Sequence, residues 1–153
     1  MRATRDPAGM LMMEHRLIER VVRDMSRTEE RIRTARELSP AYVSTVADFM
    51  RTYADACHHG KEEDILFESL SGRALEPDHA KAMDRLVREH EWARGATTRL
   101  HEAGERYADG DTGVLGDIAR GLRALAQFYP RHIHEKYGRV AEALEEAALV
   151  EAR

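Results

Sequence analysis

Cys57-His58-His59-Gly60-Lys61-Glu62-Glu63-Asp64-Ile65-Leu66-Phe67 sets two histidines one helical turn ahead of two acids. On an α-helix, positions i and i+4 lie one above the other, so each histidine meets a carboxylate. A neutral imidazole beside a carboxylate is a ligand pair for a borderline transition metal such as ferrous iron. Alone the pair is commonplace, because many solvated helices carry such residues. Periodicity does not choose between His58 with Glu62 and His59 with Glu63. Neighbours on a helix differ by about 100°, so only one of the two pairs faces fully inward.

Working outward, the residues before the quoted stretch read as one helix opened by Ser39-Pro40, an N-cap followed by a proline at the first helical position. Its apolar face is Tyr42, Val43, Val46, Phe49, Met50, Tyr53 and Cys57, and the spacing predicts a run to about Leu70, where Ser71-Gly72 can end it. Upstream, Leu11, Ile18, Val22, Met25 and Ile32 form a stripe from about Met10 to Glu37, with His15 inside it. Pro7 and Gly9 read as breakers of a disordered lead over residues 1–9. Downstream of Glu76-Pro77, a third stripe of Met83, Leu86, His90, Ala93, Thr97 and Leu100 predicts a helix from Asp78 to Tyr107. Ala108-Asp109-Gly110-Asp111 is a turn. A fourth helix from about Thr112 presents Ile118, Leu122, Leu125, Tyr129, His132 and Val140, with Pro130 predicting a kink near His132.

Four helices with short connections predict an all-α, up-down-up-down antiparallel four-helix bundle over residues 10–145, with a frayed tail at 146–153. Antiparallel packing brings His15, His58, His90 and His132 to roughly one level, one histidine per helix. A single core-face histidine is ordinarily a hydrogen-bonded core residue. Four that converge leave many ring nitrogens to satisfy in an apolar interior, where an unpaired polar group costs about 1–3 kcal/mol. A metal ion satisfies them together. The other candidates keep their plain readings: His79 and His101 solvated, Cys57 a small apolar residue, the methionines core filler, and Trp92 a boundary residue.

Composition excludes several classes. The 153 residues are 42% hydrophobic and 34% charged, with four prolines and ten glycines, which fits one soluble helical domain. A net charge of −4 without a basic run argues against nucleic-acid binding, and no apolar run is long enough to span a membrane. One cysteine excludes an internal disulfide and suits a reducing compartment, so a cytoplasmic location is expected.

Glu14-His15, the run His58-His59-x-Lys61-Glu62-Glu63-x-x-Leu66-Phe67, Glu89-His90-Glu91 and Tyr129-Pro130-Arg131-His132-Ile133 together resemble the bacterial hemerythrin-like (HHE cation-binding) domain over roughly residues 10 to 145. The resemblance implies a non-haem iron centre, di-iron in the family, inside the bundle. It implies His15, His58, Glu62, His90 and His132 as metal ligands, favouring His58 over His59, and makes His59 and Glu63 supporting or alternate groups. It departs from the family pattern after His132, where a carboxylate is expected four residues on and Lys136 stands instead, with Glu135 just before it. An ammonium has no lone pair to offer a cation. Glu135 in place of the missing carboxylate, an asymmetric or mononuclear iron site, and a Lys136 ion pair with Glu62 or Glu63 are the three ways out. Arg94, four residues after His90, rules out a five-histidine oxygen-carrier set.

The functional expectation is an iron-binding protein that binds, senses or reacts with dioxygen, peroxide or nitric oxide. Any catalysis would be metal-centred redox, such as peroxide breakdown. The competing reading is a helical interaction or oligomerisation module with a decayed site, and zinc in place of iron is a third. Monomer and homodimer stay equally open.

Overall fold

The structure, a computed structural model, describes residues 7–59 and 77–133. Helix α1 spans Pro7–Ala35. Pro7, expected to break a disordered lead, instead opens the helix. Its missing N–H falls in the first turn, where backbone donors have no intrahelical partner, and its ring holds a helical φ. Ile18, Val22, Met25 and Ile32 of the predicted stripe are buried as read, all 4% exposed or less, while the side chain of Leu11 lies outside those described. The helix stops two residues short of Glu37 because Arg36 takes a left-handed φ of 53°, its N–H donating to the Ile32 carbonyl at 2.9 Å.

Helix α2 spans Pro40–Phe49, with Ser39 extended before it and proline at its first position, as predicted. The Ser39 side chain makes no cap hydrogen bond. The expectation of one α-helix to Leu70 fails at Met50. From Met50 to His59 the chain is a π-helix, whose hydrogen bonds run i→i+5. The Thr52 hydroxyl donates to the Asp48 carbonyl at 2.6 Å and competes for the acceptor an α-helical N–H would use there. Val43, Val46, Ala47, Met50 and Ala54 face the core, while Phe49 and Tyr53 are half-buried against it.

Helix α3 spans Pro77–Ala108 and buries Leu86, His90, Ala93, Ala96, Thr97 and Leu100. It approaches α2 closely at Gly104, where an added Cβ would lie 2.8 Å from Val43 Cβ. The turn after it uses Gly110 at φ 103°, and the Asp111 carboxylate accepts from the Gly113 N–H at 3.1 Å. A 3₁₀ turn at Thr112–Val114 leads into α4, Leu115–Arg131. Helix α4 buries Leu115, Ile118, Leu122, Leu125 and Tyr129. It runs through Pro130, and its hydrogen bonding changes to the π type at His132–Ile133, beside the predicted kink. A proline offers no N–H to the ladder, so this loosening has a local cause.

The four helices pack antiparallel as a bundle. Helix α1 lies mainly on α4, α4 on α3, and α3 on α2, while the π-helical segment touches both α3 and α1 and closes the ring. Among the described residues, no helix is long and apolar enough to cross a membrane.

Candidate metal centre

Every ligand candidate among the described side chains lies inside the bundle. His15 on α1 is 5% exposed, His90 on α3 is fully buried, and His132 at the end of α4 is 4% exposed. Each sits where the helical stripe places it, one turn along from apolar neighbours: His15 before Ile18, His90 after Leu86, His132 after Tyr129. Packing of α3 on α4 brings the His90 and His132 rings to 5.1 Å between centroids, with planes at 64°.

Glu89 completes this part of the site. Its Oε2 lies 2.7 Å from His132 Nδ1, across 43 positions of sequence. With Nδ1 as donor the ring is the tautomer whose Nε2 carries the lone pair. A carboxylate on one nitrogen while the other faces a metal is the usual way proteins orient a ligating histidine. Phe128 stacks on the His132 ring at 5.1 Å and 17°, and Tyr129 stands edge-on at 6.4 Å. The ring is therefore held by one polar contact and two aromatic ones.

This donor set suits a borderline metal: imidazoles and a carboxylate in a buried setting. Two imidazoles on one ion, with metal–nitrogen distances of about 2.1 Å, have centroids roughly 4.6–5.3 Å apart at angles between 90° and 109°. The observed 5.1 Å lies within that range. Among the described residues, no three His, Cys, Asp or Glu side chains gather closely enough to hold an ion by themselves. His132 is paired with His90 on one side and with Glu89 on the other without the three forming such a group, and His15 is buried on the neighbouring α1.

The π-helical segment carries His58 in its last turn, but the His58 side chain and all of Glu62, Glu63, Glu135 and Lys136 lie outside the described residues. The i, i+4 argument for His58 and Glu62 assumed α-helical geometry. The π-helix ends at His59, so the pairing of His58 with Glu62 lies outside the described residues. Arg94, which stands where a five-histidine set would need another ligand, has a different task. Its Nε donates to Asp55 Oδ1 at 2.7 Å and ties α3 to the π-helical segment.

Sequence reasoning gave no role to Glu89, Glu14 or Phe128. A signal existed. Buried Glu14 and half-buried Glu89 each directly precede a core histidine, so an acid at the edge of the stripe repeats on α1 and α3. Of two other residues, His101 departs from its expectation and Trp92 is the boundary residue it was read as. His101, read as solvated, is half-buried with Nε2 2.8 Å from Glu105, and Trp92 is 42% exposed with its ring 4.8 Å from Phe128.

The profile of the Hemerythrin HHE cation binding domain matches residues 6–144. No curated protein and no solved structure matches the chain. The match spans all four helices and every candidate ligand, and metal binding is what this family's description specifies. The chain belongs to the hemerythrin HHE cation-binding family.

Proposed function

We propose that the protein binds non-haem iron inside the bundle, through His15, His58, Glu62, His90 and His132, and uses it to bind, sense or react with dioxygen, peroxide or nitric oxide. The observation that carries this reading is the buried His90–His132 pair with Glu89 on His132 Nδ1. Iron supplies the redox reactivity toward such small ligands when bound. The chain's own residues do the rest. Glu89 fixes the His132 tautomer, Phe128 and Tyr129 keep its ring from rotating, and the apolar layer of Met25, Ile18, Leu122 and Leu125 excludes water from the interior. The Arg94–Asp55 pair anchors the π-helical segment that delivers His58. A single cysteine fits residence in a reducing cytoplasm.

Elemental analysis of protein purified from iron-supplemented cells, with its visible spectrum, tests the proposal. One or two irons per chain are expected, falling by most of their value in His58→Ala. A folded helical protein without iron, or full iron content in that variant, would overturn it and favour an interaction module.

A further inference from the structure

The π-helical segment and α3 leave a recess of about 270 Å³ between them, with Tyr129 of α4 in its floor. That volume lies below the range of about 300–1,000 Å³ typical of pockets for larger organic ligands. At about 30 Å³ per water molecule it has room for several molecules of that size. Met50, Ala93, Thr97 and Tyr129 form the floor, each 4% exposed or less. None of the four carries a charge at neutral pH, and the Thr97 hydroxyl donates to the Ala93 carbonyl at 2.8 Å. The charges stand at the rim, where Arg94 and Asp55 are paired at 2.7 Å and Arg51 is exposed to water.

The π-helix shapes this recess. Met50 in its floor and Asp55 at its rim are five residues apart, which on an α-helix at about 100° per residue would turn them roughly 140° away from each other. Bonding i→i+5 makes residues five apart close neighbours, so one segment supplies both. The recess also lies beside the histidines. Ala93 follows His90 by three positions and Tyr129 precedes His132 by three, so each stands one turn from a histidine. Because α3 and α4 run antiparallel, both fall on the same side of the His90–His132 pair. The Tyr129 ring stands edge-on to His132, 6.4 Å between centroids, so the floor of the recess is the layer of the bundle next to the two imidazoles.

We infer that this recess is the port through which a small uncharged molecule of the dioxygen or nitric oxide kind reaches the histidines, collecting on the Met50–Ala93 floor before it passes Tyr129. The inference rests on the iron reading above and adds the route to it. An uncharged floor takes an uncharged solute without stripping water from a charge, and the size of the recess keeps larger molecules out. A wider recess of about 750 Å³, lined by Glu89, Gln127, Arg131 and His132, is the rival entry; its lining brings a carboxylate and a guanidinium in place of an uncharged floor.

Two measurements on the full chain test this. Xenon titration of the metal-free protein, followed by xenon NMR, reports whether the recess takes a small apolar solute, as apolar cavities do. Stopped-flow mixing of the ferrous protein with dissolved nitric oxide reports entry. A93L fills the floor, T98W covers the exposed rim, and Q127W covers the rival recess. Xenon binding is expected in the wild type and should be lost in A93L. Association of nitric oxide should slow about tenfold in A93L and T98W, with dissociation slowed equally and affinity unchanged, while Q127W keeps the wild-type rates. A blocked route slows both directions alike, whereas a disturbed metal site changes affinity. Thr98 lies on the surface, so T98W tests the port even where A93L fails to fold by circular dichroism. Wild-type rates in T98W, slowing in Q127W instead, lost affinity in place of slowed rates, or no xenon binding by the wild type would overturn the port alone. A protein that takes up no iron would overturn the iron reading, and the port with it.

Discussion

Replacing Glu89 by alanine removes the acceptor that faces His132 Nδ1 at 2.7 Å and nothing else from that ring's surroundings, since the Phe128 and Tyr129 contacts come from α4 itself. Loss of a carboxylate that orients a ligating histidine weakens metal binding about 10- to 100-fold. At about 1.36 kcal/mol per decade that is about 1.4–2.7 kcal/mol. Glutamine keeps an oxygen at the same place but gives up the charge that strengthens the bond, so E89Q should lose about tenfold or less. The metal-free protein pays separately, because His132 is nearly inaccessible and its N–H loses a partner, a loss of about 1–3 kcal/mol. Glu89 itself is 23% exposed, so water can replace part of the missing carboxylate, and the lower end of that range is expected. Anaerobic competition for ferrous iron against a chromophoric chelator measures the first quantity, and urea unfolding of the metal-free variants measures the second. Wild-type iron affinity in E89A would refute the reasoning, whatever happens to stability. The order wild type, E89Q, E89A in affinity is the signature of a positioning residue.

Further outcomes follow from the same geometry. Gly104→Ala drives a Cβ into Val43 and should destabilise the fold by about 1–3 kcal/mol, whereas Gly116→Ala, which meets only the end of Arg120, should gain up to about 1 kcal/mol from helix propensity; parallel urea titrations check both. Leu122→Ala, at a fully buried position of α4, should cost about 2–5 kcal/mol in the same assay. The raised pKa of Tyr42, caused first by burial, favours the neutral phenol in the folded state. Its contribution is complete below about pH 10, the unfolded value, and is lost as pH rises toward 12, so the stability of Tyr42→Phe relative to wild type should climb across that window. Lys136→Glu, which restores a carboxylate four residues after His132, should raise iron content or affinity in the elemental assay; an unchanged metal content would show that Lys136 does not occupy a ligand position.

A sequence carries a helix's inward face directly, because burial recurs every three to four residues whatever the neighbours are. Ile18, Val22, Met25 and Ile32 on α1, Leu86, Ala93, Thr97 and Leu100 on α3, and Ile118, Leu122, Leu125 and Tyr129 on α4 were all legible that way, and so were His15, His90 and His132 as core histidines. The Ser39-Pro40 start of α2 and the Gly110 turn were legible from local backbone preferences, and the family from four short motifs one helix apart. The tertiary structure decided what periodicity does not encode. Whether Met50–His59 bonds i→i+4 or i→i+5 depends on which carbonyls are already engaged and on how the segment meets α1 and α3, so the helix type there was not legible from spacing. The partners of Glu89 and Arg94 lie 43 and 39 positions away, on helices whose relative rotation and height are set by packing. Hydrophobic pattern determines which face of each helix turns inward; only the docking of one helix on another determines which polar group at the edge of that face meets which.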